Sequence, residues 1–261
     1  MNNKELIKAW LNLGFLVLTL VINTMGAVGL FNNLSQKDVS DLYSTLITPA
    51  PFTFSIWSII YLLLFIATIM MIVKHNDPYY KEAINKISVL FWISCLLNCL
   101  WIICFSYTQI GLSAIVIFVF LITLTYIIRQ IGAIQTRQRW LLAATFGMYT
   151  GWLLIATVLN ISAWFVKIGW DGFGIASEIW SVIILLVAVG LTLMVVLTTK
   201  NAIFPIPIAW GYYGIYQSLI ATPDVLYQLL PIIAIVGIVL LVMIAGFQFY
   251  RNQYRLMPEP L

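Results

Sequence analysis

Trp57 and Tyr61 stand four residues apart, a short way behind Pro49 and Pro51. Asn98, Trp101 and Phe105 follow one another at steps of three and four, and Tyr149, Trp152, Ala156 and Asn160 do the same. Asn23 adds a further carboxamide inside an apolar run near the N-terminus. Residues three, four and seven apart share a helix face, so each set makes a stripe of indole, phenol and amide groups. Such groups suit binding: rings offer flat apolar area, while indole N–H and amide groups fix orientation. They do not suit bond-making chemistry. No nucleophile, base and orienting group come together in the pattern, so the chain is not expected to be an enzyme. The single histidine, His75, lies in a polar stretch, which excludes a bis-histidine haem or a His-rich metal site. Cys95, Cys99 and Cys104 fall in one apolar run and read as buried thiols rather than a disulfide framework.

The elements that must carry these stripes follow from composition. Of 261 residues, 62% are hydrophobic and 8% charged, with mean hydropathy +1.02. Soluble domains carry roughly 25% charged residues. The chain is therefore expected to be an all-α, polytopic transmembrane bundle in contact with a lipid bilayer. Apolar runs of spanning length predict about eight helices, near 8–29, 53–73, 87–106, 110–130, 140–163, 179–199, 203–220 and 229–250. Pro205, Pro207 and Pro231 fit only if they sit in the first turns of the last two spans. The first run is nearer a span than a signal-peptide core in length. With eight spans, only Lys37 and Lys167 of the 13 basic residues fall on one side, beside Asp38, Asp41, Asp171, Glu178 and Asp224. The other side collects the rest, Arg137 and Arg139 among them. The positive-inside rule then places both termini in the cytoplasm. The net charge of +4 is thus a topology signal and does not point to nucleic acid.

Depth along the spans, at ~1.5 Å per residue, brings Asn23, Trp57, Tyr61, Asn98, Trp101, Tyr149, Trp152 and Asn160 to the middle and outer half of the bilayer. One reading is an aromatic-walled pocket between the first, second, third and fifth spans, lidded from outside by the loop of Pro49 and Pro51. The other reading is plainer. Trp57 and Trp101 could be interfacial belt residues, and the asparagines could simply bond helix to helix. Trp152 lies too deep for a belt. Trp92 and Trp210 read as packing residues.

These residues resemble the translocator protein family (TspO/MBR, tryptophan-rich sensory proteins) over roughly residues 8–165. The family's Pro-rich loop and Trp-x-x-x-Tyr helix correspond to Pro49, Pro51, Trp57 and Tyr61. Its third helix corresponds to Asn98, Trp101 and Phe105, and its fifth to Tyr149, Trp152, Ala156, Leu159 and Asn160, with Arg139 ten residues ahead. The loop tryptophan of the family is missing, and Met148 stands where the family has proline. The resemblance implies a five-helix TspO-like unit over 1–165, with three additional helices over 166–261. It implies a bacterial plasma-membrane location, no required cofactor, and a hydrophobic, flat ligand such as a porphyrin, haem-like molecule or sterol. It also implies a sensory or regulatory role and a homodimer as partner state. The light-dependent porphyrin breakdown of some members uses the missing loop tryptophan and is not carried over. The alternative function is a transporter of a hydrophobic small molecule. Against it, no Asp, Glu, Lys, Arg or His lies deep in a span.

Overall fold

The computed structural model describes residues 4–136, 139–221 and 229–259; Arg137 and Asp224 lie outside the described residues. Nine α-helices follow in order among them: α1 (Lys4–Ala27), α2 (Gln36–Leu42), α3 (Ile56–Val73), α4 (Pro78–Ser106), α5 (Ile110–Gly132), α6 (Trp140–Lys167), α7 (Ser177–Thr199), α8 (Pro205–Ala221) and α9 (Leu229–Arg251). Short 3₁₀ turns occupy Pro51–Ser55 and Gly172–Gly174. The described residues form no strand. Among the described residues, seven helices are long and apolar enough to cross a membrane. The eighth expected span is α8, only 17 residues and roughly 25 Å long, which is short of a hydrocarbon core of about 30 Å. Its buried residues include Pro205, Pro207, Gly211, Tyr212 and Gly214, so it is carried by its neighbours α6 and α9 rather than by lipid.

Two elements differ from the sequence expectation. The long loop after α1 contains α2, whose start is fixed by a capping box. Ser35 accepts from the Asp38 backbone N–H, and the Asp38 carboxylate accepts from the Ser35 N–H at 2.8 Å. Asp38 is held below the ordinary carboxylate range by the Ser35 hydroxyl and backbone N–H. Helix α4 begins at Pro78, well before the expected 87, because Asp77 caps the backbone N–H groups of Tyr79 and Tyr80 and Pro78 occupies the first turn. Its extra turns project beyond the apolar stretch and carry Lys81, Glu82 and Lys86.

Helix α6 is the hub, buried along most of its length and packed by α3, α5, α7 and α8. Close approach is made possible by small residues. A Cβ on Gly151 would meet Pro207 Cγ at 2.6 Å and the Phe204 carbonyl nearer still, so α8 crosses α6 almost backbone to backbone. The loops sort into two ends. At one end Arg139 pairs with Asp77 at 2.6 Å, Glu82 accepts from the Gln135 N–H, Lys8 and Glu5 bond Asn85, and the Ala202 N–H donates to the Leu256 carbonyl. Both described chain ends, and most of the basic residues, gather there. At the other end Lys167 donates to the Thr108 carbonyl and lies 5.8 Å from the Tyr43 ring centroid. Cys95, Cys99 and Cys104 are all buried and free.

Candidate ligand-binding site

The aromatic stripes of α3, α4 and α6 meet at the end of the bundle where α2 lies. Trp57 is the centre. Its ring stacks on Tyr61 at 5.3 Å and 18°, tilts against Trp101 at 6.2 Å, and meets Tyr149 and Trp152 edge-on at 6.0 and 6.2 Å. Phe54, from the 3₁₀ turn, stands edge-on to Trp152 at 6.2 Å. Above these rings is a cavity of about 70 Å³ lined by Trp57, Trp101, Phe105, Trp152, Ala156, Leu159, Asn160 and Ala163, with Pro49, Thr48 and Phe54 from the loop. Gln36, Ser40 and Tyr43 of the α2 region complete the lining.

Beneath the rings runs a chain of hydrogen bonds linking four helices. Tyr61 donates to Asn23 Oδ1 (2.8 Å), Asn23 Nδ2 to Asn98 Oδ1 (2.6 Å), and Asn98 Nδ2 to the Tyr149 hydroxyl (2.8 Å). A second knot lies at the cavity wall. The Trp101 indole donates to Asn160 Oδ1 at 2.8 Å, while Asn160 Nδ2 donates to Ser113 Oγ at 2.9 Å. Bonds of this kind average about 0.6 kcal/mol in membrane bundles and reach about 1–2. Their larger effect is to fix ring orientation. Trp57 is fixed by packing against Tyr61 and Tyr149, which the asparagine chain holds in place.

Trp152 is the exception. It is 1% exposed, and its Nε1 has no hydrogen-bond acceptor among the described residues. A buried donor left unpaired costs about 1–3 kcal/mol. The orphan N–H belongs to a ring that lines the cavity.

The candidate residues therefore divide. Pro49, Trp57, Trp101, Trp152, Ala156 and Asn160 line the cavity. Asn23, Tyr61, Asn98 and Tyr149 do not; they brace the lining from below. Pro51 starts the 3₁₀ turn and borders a neighbouring cleft with Ala27, Ser35, Gln36 and Lys37. The sequence reasoning missed Gln36, Ser40 and Tyr43. The capping-box pattern from Ser35 to Asp38 is the signal that would have placed a helix there.

The loop is not held by the first five spans alone. The Ala50 N–H donates to the Gly214 carbonyl at 3.0 Å, and the Trp210 indole donates to the Thr53 carbonyl at 2.8 Å. Phe52 packs edge-on against Trp210 at 5.5 Å and Tyr213 at 5.8 Å. Helix α8 is thus the seat of the loop that roofs the cavity.

Among curated proteins and among solved structures, nothing matches the chain. A family profile described as TSPO-like protein matches residues 9–247. The match runs through α7 and α8 into α9, so the later helices fall within the family's pattern along with the aromatic core. With a bundle of membrane-spanning helices meeting on stacked tryptophans and a family match along nearly all its length, this chain belongs to the TSPO-like protein family.

Proposed function

We propose that this membrane protein binds a flat, hydrophobic small molecule, tetrapyrrole-like or sterol-like, in the cavity above Trp57, Trp101 and Trp152, and that it serves a sensory or regulatory role. The observation that carries the reading is Trp152, whose ring lines the cavity while its buried indole N–H has no acceptor among the described residues. A ligand oxygen or carboxylate placed there would relieve that cost, while the surrounding rings supply stacking area. The residues fit such a group by type. They do not fit it by volume as they stand: drug-sized ligands occupy about 300–1,000 Å³, against about 70 Å³ here. Binding therefore requires α2 and the 49–55 loop to move outward. The unit that contacts ligand is 1–165, and 166–261 contributes the seat of the loop. The basic end of the bundle faces the cytoplasm, with both termini on the cytoplasmic side of a bacterial plasma membrane.

The test is a titration of purified protein in detergent with protoporphyrin IX, read by quenching of tryptophan fluorescence. Wild type binds saturably. Trp152→Phe keeps an aromatic ring but removes the donor, and weakens binding about five- to tenfold, the equivalent of one hydrogen bond. Trp152→Ala weakens it further. Affinity unchanged in both variants would dismiss the site.

A further inference from the structure

A second cleft lies at the opposite, basic end of the bundle, with a volume of about 660 Å³. Three cationic side chains from three separate segments converge on it: Lys74 after α3, Arg139 before α6 and Arg255 in the tail after α9. Tyr80 and Tyr254 add phenol groups, and Trp140, two-thirds exposed at 66%, stands at its edge. The remaining wall is apolar and comes from α3, α6, α9 and the tail after α9.

The cations are not equally engaged. Arg139 is held by Asp77 at 2.6 Å and lies 5.3 Å from the Tyr80 ring centroid, so its guanidinium is fixed in place. Arg255 pairs with Glu259 in the same tail. The Lys74 ammonium has no acceptor among the described residues. The tail itself is pinned: the Ala202 N–H donates to the Leu256 carbonyl at 2.8 Å, Asn252 Nδ2 donates to the Lys200 carbonyl at 2.8 Å, and Met257 is buried. Arg255 is therefore presented by an ordered segment.

We propose that this cleft binds the headgroup of an anionic phospholipid, its phosphodiester between Lys74 and Arg255 and its acyl chains along the apolar wall. Charge complementarity favours an anion, since Asp77 and Glu259 neutralise two cations and Lys74 leaves a net positive site. The anion competes with Glu259 for Arg255. The apolar wall and the edge tryptophan favour a lipid over a soluble phosphate, because an amphipathic ring at headgroup level and basic clefts between helices are the features that hold acidic lipids. The bound lipid would bridge α3 and α6 to the C-terminal tail and so clamp the last helix to the ligand-binding unit.

The experiment titrates the detergent-purified full chain with dioleoyl phosphatidylglycerol, dioleoyl phosphatidylcholine or inorganic phosphate, and reads thermal stability together with lipid retention by native mass spectrometry. The expected result is selective stabilisation and retention of phosphatidylglycerol. Affinity falls about fivefold in Lys74→Gln and roughly 25-fold in Lys74→Gln/Arg255→Gln, from the usual contribution of one basic residue near an acidic lipid. The charge-matched control Lys4→Gln/Lys81→Gln, at the same end but away from the cleft, stays within twofold of wild type. If the double variant does not fold, the single Lys74→Gln variant decides, because that side chain is exposed and has no acceptor among the described residues. Equal binding of the two lipids, an equal loss in the control, or equal stabilisation by phosphate alone would each overturn the proposal.

Discussion

Gly214→Ala separates what helix propensity dictates from what this fold requires. In an isolated helix the change is worth about 1 kcal/mol in favour of alanine. Here the new Cβ would stand 2.7 Å from Thr53 Cγ2 and 2.8 Å from Thr53 Cβ, with Oγ1 closer still. Ordinary van der Waals contact between carbons needs about 3.5–4.0 Å, so α8 and the 3₁₀ turn must separate by roughly 1 Å or more. Two hydrogen bonds hold that seam, from Ala50 N–H to the Gly214 carbonyl at 3.0 Å and from the Trp210 indole to the Thr53 carbonyl at 2.8 Å. A 1 Å shift takes both beyond useful range, at about 0.5–1.5 kcal/mol each. Overpacking strain of about 1–3 kcal/mol adds to this. Set against the propensity gain, the expected net destabilisation is about 1–5 kcal/mol. The assay is thermal unfolding in detergent, followed by intrinsic fluorescence, with the porphyrin titration in parallel. The melting temperature falls, and ligand dissociation speeds up because the roof is no longer seated. In the Gly214→Ala/Thr53→Ala double variant, loss of Oγ1 and Cγ2 removes the worst contacts and part of the stability returns, giving a coupling energy characteristic of touching residues. A melting temperature that rises in Gly214→Ala, or additive effects in the double variant, would refute the argument that α8 seats the roof.

Two further outcomes follow from the same geometry. Asn160→Ala removes the acceptor of the Trp101 indole (2.8 Å) and leaves that buried N–H unpaired, for an expected loss of about 1–3 kcal/mol in thermal or denaturant unfolding, with weaker porphyrin binding; stability equal to wild type would contradict the bracing role. Asp38 is held below its ordinary value by Ser35, so its contribution to α2 is present above the unfolded-state value and is lost as pH falls through the lower folded-state value. Hydrogen exchange of the α2 amides should accelerate on acidification in wild type and be fast already at neutral pH in Asp38→Ala; pH-independent protection would remove the capping box from the account.

The division between what the sequence disclosed and what it concealed follows the range of the interactions. The stripes on α3, α4 and α6 are local patterns of period 3.6, and each faces the bundle interior where its spacing puts it. Trp152 could be separated from belt tryptophans because its depth in the span was countable. The asparagines separate by place: Asn160 lines the cavity and bonds Trp101 and Ser113, whereas Asn23 and Asn98 serve helix-to-helix bonding below it. Trp210, read as packing, does pack, but against a turn 157 positions away in sequence, and no local pattern signals that partner. The same holds for Gly214 and Ala50. Helix α2 was missed for a different reason, since seven residues offer too few periods for hydrophobic spacing to register, and only its cap was legible. The cavity's small volume was also hidden, because it depends on how far the α2 region and the loop close over the rings.

The most direct measurement is the structure of the protein with protoporphyrin IX bound, determined in a lipid nanodisc. The account predicts the macrocycle between Trp57, Trp101 and Trp152, a ligand acceptor within hydrogen-bond distance of Trp152 Nε1, and α2 with the 49–55 loop displaced outward. Density for the macrocycle on the lipid-facing surface, with the cavity and its roof unchanged, would contradict it.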